Sequence, residues 1–487
     1  MLDFTMPLFN LATPEIFVLT MASIILLVDV FVPKKFGDFL YYVVLLTLVG
    51  AFFLVLQQFN TIDEPVVTFS GGYVVDKLAL LTKLFVLVAS LFSFLYAKPY
   101  ITSRHIVQND YYVLGLFAVL GMMIMASAYS FLTIYLGLEL LSLPLYAMVA
   151  LQKDSQKATE AAMKYFVMGA LASALLLYGI SMIYGVTKTI NIADLGSIIN
   201  QLSFNDSSVV MLSMIFIVAG LLFKLGAVPF HMWVPDVYDG APASVTLFIA
   251  SAPKIAAFCI TIRVLVEGMP SVAVDWQSIL VVVSILSMFG GNLLAIAQKN
   301  IKRMLAYSSI AHIGYTLLGL IAGPDAINGY SAAMFYIATY VIVAMGAFGV
   351  ITIMSSEGVE LDKLEDYRGL NARNPWLAFL MLILMFSMAG IPPTVGFFAK
   401  LGLLEALVDA NYVWLAVLSL IFAIVGAYYY LRVVMYMYFE EPRAETANVK
   451  IAMSGSTLAI VSVNSIAALG FGLLPSSLID LCRISIV

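Results

Sequence analysis

Apolar residues in this chain run in blocks separated by short polar links, rather than alternating at the period of a strand or marking one face of a soluble helix. A helix needs roughly 20 apolar residues to cross a bilayer core. Fourteen blocks reach that length, at 11–33, 38–58, 74–97, 110–127, 130–151, 158–185, 208–236, 243–267, 276–297, 302–322, 330–354, 376–407, 412–439 and 453–474. The links between them are too short for a soluble domain, so the pattern predicts one all-α, polytopic membrane bundle over 1–487. The longest polar link is "SSEGVELDKLEDYRGLNARNP", 355–375, where the spacing of Leu361, Leu364 and Tyr367 suggests a short surface helix. The first block follows no basic stretch and runs into Lys34 and Lys35, as a retained helix does and a cleaved leader does not.

The seventh and twelfth blocks are too long, and each carries proline near its centre: "KLGAVPFHMWVP" in one, "SMAGIPPTVGFFAK" in the other. Proline removes a hydrogen bond and clashes with the carbonyl four residues back, here Leu225 for Pro229 and Met388 for Pro392. A broken helix at membrane depth survives only where protein or water meets the freed groups. Paired interrupted segments point to an ion site in transporters built from repeats. "FKLGAVP" slides onto "FSMAGIP" at an offset of 163, and "MKYFVMGA" onto "MFYIATYV" at 171. Blocks 7 and 6 thus map onto 12 and 11, which predicts two five-helix repeats, blocks 4–8 and 9–13, inverted because five is odd. The expected organisation is three N-terminal helices in 1–109, repeats at 110–267 and 276–439, and a C-terminal helix at 453–474.

Composition agrees with a membrane chain: 62% of residues are hydrophobic and 11% charged, with a net charge of −5 and no basic tract for a nucleic acid. Lys34, Lys35, Lys98, Arg104, Lys153, Lys157, Lys299, Lys302, Arg303, Lys363, Arg368, Arg373, Arg443 and Lys450 follow odd-numbered blocks, against Lys77, Lys188, Arg263 and Arg483 on the other side. The rich side is cytoplasmic by the positive-inside rule, which places both termini outside. His105 falls in a cytoplasmic link and reads as ordinary.

Against that background the charges inside the blocks stand out. Lys83, Lys164, Lys224, Lys254 and Lys400 lie in apolar surroundings with Glu139, His231 and His312. An ionisable group at mid-membrane costs about 2.5–3.5 kcal/mol on the insertion scale and marks a functional site by default. The bland alternative is a lysine reaching for a block end or locked in a structural pair, and it fits Lys83, one turn from a polar end. Glu139, Lys224, Lys254 and Lys400 have apolar neighbours on both sides. Pro144 frees the Leu140 carbonyl beside Glu139, Pro253 precedes Lys254, and Pro229 separates Lys224 from His231. Each charge is therefore expected beside a helix defect that admits water. Desolvation disfavours the charged form and an opposite charge restores it, so such groups exchange protons when a neighbour moves.

The chain offers no energy source of its own: no Walker loop, and only "GFGLLP" at 470–475 as a poor echo of a dinucleotide fingerprint. Cys259 and Cys482 are too few for an iron–sulfur cluster. "LGLELLSLPLYAMVA", "ATEAAMKYFVMGALAS", "FKLGAVPFHMWVPDVYDGAPASVTLFIASAPK" and "QKNIKRMLAYSSIAHIGY" resemble, in a match running over nearly the whole chain, the antiporter-like membrane subunits of respiratory complex I. One paralogue in that family has a long C-terminal lateral helix where this chain stops soon after its last block. Another has glutamate where Lys400 stands.

The resemblance implies fourteen helices with two inverted repeats. It also implies a proton-transfer line on Glu139, Lys164, Lys224, His231, Lys254, His312 and Lys400, in which Lys254 passes protons towards Lys400. It further implies no cofactor on this chain, with flavin and iron–sulfur clusters on partner subunits that reduce quinone, and a bacterial inner-membrane location. Two other functions remain open from the residues: a self-standing or multisubunit cation/proton antiporter, and a scaffold whose charges only pack helices.

Overall fold

The computed structural model describes residues 6–31, 37–104, 106–324, 328–355, 360–443 and 454–486. Lys34, Lys35, His105 and Lys450 lie outside them. In chain order the helices are α1 (Thr13–Phe31), α2 (Gly37–Thr61), α3 (Lys77–Ser103), α4 (Gln108–Ser127), α5 (Phe131–Val149), α6 (Gln156–Thr187), α7 (Ile192–Ile199), α8 (Phe204–Leu225), α9 (Trp233–Gly240), α10 (Ala243–Ile249), α11 (Ala252–Thr261), α12 (Ala273–Ile296), α13 (Ile301–Ala322), α14 (Gly329–Met354), α15 (Leu370–Arg373), α16 (Pro375–Ala389), α17 (Val395–Asp409), α18 (Val413–Phe439), α19 (Gly455–Leu473) and α20 (Ser476–Ser485). Among the described residues thirteen helical segments are long and apolar enough to cross a membrane. The fourteenth expected span is the pair α16 and α17, each too short to cross alone.

Both long blocks break just before their prolines, and the two breaks share one design. α8 ends at Leu225, where Gly226 takes φ +79° and donates its amide to the Leu222 and Phe223 carbonyls, while Ala227 donates to Leu222. α16 ends at Ala389, where Gly390 takes φ +85° and donates to Phe386 and Ser387, while Ile391 donates to Phe386. This is the left-handed glycine cap of a helix C-terminus, in a conformation that side chains with a Cβ avoid. The matching caps pair Gly226 with Gly390, an offset of 164. Aligning proline on proline had given 163; the helix stop is set by the glycine, not by the first proline after it.

Two expectations about helix defects need correction. The eighth span is itself interrupted, into α10, α11 and a π-helical turn at Ile262–Glu267, with Ala250 and Ser251 between the first two. Pro253 sits in the first turn of α11, where its missing N–H costs nothing. By contrast α5 continues unbroken through Pro144, so Glu139 does not lie at a chain break.

Helix packing repeats between the halves. α4 lies against α5 as α12 lies against α13. A Cβ at Gly121 would collide with the backbone at Leu141, and one at Gly291 with the backbone at Ala311, the same close approach 170 residues apart. α13, α14 and the interrupted eighth span form the buried centre, while α2, α6 and α18 turn apolar faces outward. Among the described residues of the link before α16, a 3₁₀ turn at Leu364–Tyr367 and the four-residue α15 stand where one surface helix was expected. Leu361, Leu364 and Tyr367 are buried there. A two-stranded antiparallel hairpin, β1 (Val66–Thr68) and β2 (Tyr73–Val75), closes the turn between α2 and α3.

Candidate proton-transfer site

Glu139 projects from α5 and accepts a 2.5 Å hydrogen bond from Ser173 Oγ on α6. Lys224, in the last turn of α8, donates to Ser142 Oγ at 2.7 Å, and Ser142 donates to the Leu138 carbonyl at 2.5 Å. A carboxylate in hydrocarbon needs a cation within reach to stay charged, and Lys164 and Lys224, in the two spans that follow Glu139, are the candidates by span order. Among the described residues neither lies within 4.0 Å of its carboxylate. The acid and the central lysine are each held by a serine, and neither serine stood out in the sequence. The available signal was the spacing of Glu139 and Ser142, three apart on one helical face.

The two lysines beyond Lys224, Lys254 buried and Lys400 half-buried, occupy the ends of the broken helices. Lys254 Nζ donates to the Leu225 carbonyl at 2.6 Å. Lys400 Nζ donates to the Met388 and Ala389 carbonyls at 3.0 and 2.9 Å. These are the carbonyls left without an intrahelical N–H where the chain stops, and a helix C-terminus carries partial negative charge that suits an ammonium. Lys254 reaches its carbonyl from α11, whereas Lys400 reaches from α17, the second half of its own broken span. At the position matching Lys400 by the glycine-cap offset, the first repeat has Asp236.

Two small cavities adjoin these lysines. One, lined by Ser142, Tyr165, Lys224, Trp233 and Lys254, has about 20 Å³ of space; the other, lined by His312, Tyr336, Tyr340, Ser387 and Lys400, has the same. Each is large enough for a single water. His312 has both ring nitrogens against tyrosine hydroxyls, Nδ1 to Tyr336 at 2.7 Å and Nε2 to Tyr430 at 3.0 Å. Between the cavities Trp233 meets Tyr238 edge-on, Tyr238 lies beside Ser309, and Ser309 lies beside Tyr340. The Tyr238 and Ser309 hydroxyls are buried and, among the described residues, have no protein hydrogen-bond partner.

Lys164 and His231 sit elsewhere. Lys164 is exposed and pairs at 2.8 Å with both Asp236 and Glu160. Asp236 also binds Arg303 at 2.9 Å. His231 shares an open cleft with these charges rather than the space between Lys224 and Lys254. Two turns separate Lys164 from the start of α6, so its head reaches the charged end of the bundle. Lys83, by contrast, does not reach for the surface: it is 0% exposed and forms a 2.6 Å ion pair with Glu15.

A family model described as NADH:quinone oxidoreductase/Mrp antiporter, transmembrane, matches residues 128–426. A Thiobacillus denitrificans protein named NADH-quinone oxidoreductase subunit N is 52% identical, covering 97% of this chain and 96% of that one. A chain of respiratory complex I from Thermus thermophilus superposes with a TM-score of 0.81 at 31% identity, covering 96% of this chain and 98% of that one. A chain of the Mrp complex from Dietzia superposes with a TM-score of 0.85, covering 98% and 97%; at 21% identity it shares the fold.

Proposed function

We infer how the site works from one premise: the chain belongs to the NADH:quinone oxidoreductase/Mrp antiporter transmembrane family, in its subunit N branch. It is a proton-translocating membrane subunit of the NADH–quinone oxidoreductase complex, a multi-pass protein of the bacterial inner membrane whose partners are the other complex I subunits. The full-length relatives favour this over a self-standing cation/proton antiporter. Quinone reduction, flavin and iron–sulfur chemistry are assigned to partner subunits; two cysteines cannot ligate a cluster. The lysine-rich links put both termini on the periplasmic side. The units 110–267 and 276–439 are the two working halves, flanked by 1–109 and by 453–474.

The line runs from Glu139 and Lys224 to Lys254, then by way of the Tyr238, Ser309 and Tyr340 hydroxyls to His312 and Lys400. Lys164 and His231 belong to its cytoplasmic mouth, where the open cleft and the Asp236 pairs meet water. The observation that carries this reading is the placing of Lys254 and Lys400 on the carbonyls of two broken helices, each beside a cavity fit for one water. Each lysine has a carbonyl partner while charged, and as an amine it can accept a proton from a water in its cavity.

Replacing the first lysine tests the line. Lys224→Ala is expected to reduce proton pumping and coupled quinone reductase activity at least about tenfold in assembled complex, read with a pH-sensitive dye in vesicles and a native gel. Lys224→Arg is expected to fail as well, because a guanidinium with a pKa above about 12 does not release its proton. Normal pumping by the alanine variant would remove Lys224 from the line.

A further inference from the structure

Glu139, Ser142 and Tyr146 stand at i, i+3 and i+7 on α5, a single stripe of the helix. Facing them are Ser173 on α6 and Lys224 on α8. Ser142 Oγ accepts from Lys224 Nζ at 2.7 Å and donates to the Leu138 carbonyl at 2.5 Å. Ser173 Oγ donates to Glu139 Oε1 at 2.5 Å. The Tyr146 hydroxyl, beside Ser142 and near Glu139, is buried and has no hydrogen-bond partner among the described residues.

We propose that Ser142 and Ser173 are hydroxyl latches that hold the Glu139–Lys224 pair open, each taking one charge of the pair. The proposal rests on the reading of Glu139 and Lys224 as the start of the proton line. A carboxylate and an ammonium that share a low-dielectric pocket attract each other strongly. They stay apart only if each has another partner worth keeping. A hydroxyl can donate and accept together, so Ser142 takes the lysine on a lone pair while giving its own hydrogen to Leu138.

A serine inside a helix often bonds back to the carbonyl four residues earlier with no further role. Ser142 does this and binds the lysine as well. Closing the pair exchanges two serine bonds for one ion pair, and the Tyr146 hydroxyl beside Ser142 can donate to the oxygen that the lysine leaves. Both states are then hydrogen-bonded, which keeps them near balance and lets a small movement of a neighbour decide between them.

The test uses the assembled complex in vesicles, with a native gel for each variant. Ser142→Ala and Ser173→Ala are each expected to slow pumping about tenfold, the effect of losing one hydrogen bond to a charged group. Ser142→Thr, which restores the hydroxyl, is expected to recover most of the rate. In a Glu139→Gln background, Ser142→Ala is expected to add little, because no carboxylate remains for the lysine to close on. An undiminished rate in Ser142→Ala overturns the latch, and so does a threonine variant as slow as alanine, which would make the residue a packing element. If Lys224→Ala stops pumping while Ser142→Ala does not, only the latch fails. If Lys224→Ala pumps normally, the proton line itself fails.

Discussion

An ammonium buried in hydrocarbon carries a penalty of about 2.5–3.5 kcal/mol or more, and Lys254 offsets part of it with a single 2.6 Å bond to a helix-end carbonyl. Glu139 has a different arrangement, one serine hydroxyl and no cation within ion-pair distance among the described residues. A carboxylate held by a hydroxyl can exchange that bond for an ion pair when a cation approaches. Glu139→Gln is therefore expected to fix the switch in one state and cut pumping about tenfold or more. Glu139→Asp, charged but one methylene shorter, retains part of the activity. Dye-monitored pumping of both variants in intact complex decides this; a glutamine variant with full pumping would make Glu139 a structural residue.

At the scale of helices, the glycine caps do two jobs. Gly226 and Gly390 end α8 and α16 in a left-handed conformation, and both lie against the lysine that binds the exposed carbonyl. A Cβ at Gly226 would come within 2.7 Å of Val234 Cγ2 and 3.2 Å of Lys254 Nζ. One at Gly390 would come within 3.0 Å of Lys400 Cδ. Gly226→Ala and Gly390→Ala thus add backbone strain of about 1–3 kcal/mol and displace the adjacent lysine. Pumping is expected to fall several-fold in both variants, with a lowered melting temperature of the solubilised complex. Thermal destabilisation with unchanged pumping would show that the caps serve the fold alone.

Across the whole molecule, two sets of ion pairs tie parts of the bundle together. Asp236 on α9 holds both Lys164 of α6 and Arg303 of α13, and so connects the two halves at the lysine-rich end. At the other end Glu15 of α1 and Lys83 of α3 form a pair almost sealed from solvent. A buried pair adds little net stability, but removing one partner leaves an uncompensated charge at a cost of about 3–5 kcal/mol. Lys83→Met is accordingly expected to lower the melting temperature and the yield of assembled complex. Adding Glu15→Gln should recover most of the loss, since neither site is then charged. A double variant as unstable as the single one would mean that Lys83 acts by its packing.

The sequence by itself determined the membrane class, the number of spans, the location of both long breaks and the central lysines. Each of these depends on local facts: block length against bilayer thickness, proline against the helical hydrogen bond, and charge against hydrocarbon. It also named Leu225 and Met388 as the freed carbonyls, and a lysine now occupies each. Only the tertiary structure decided the partners. Lys164 was a candidate for Glu139 by span order, yet its long side chain reaches Asp236 on α9, 72 residues away. Ser142 and Ser173 carry no signal of their own in a chain where a serine on an apolar helix is ordinary, and they matter because α5, α6 and α8 bring them to opposite charges. The break in the eighth span was equally hidden, since Pro253 reads as a disturbance at Lys254 and the chain opens at Ala250 and Ser251, before it. Distances between side chains on different helices depend on how the helices cross, and no local pattern in the chain encodes that.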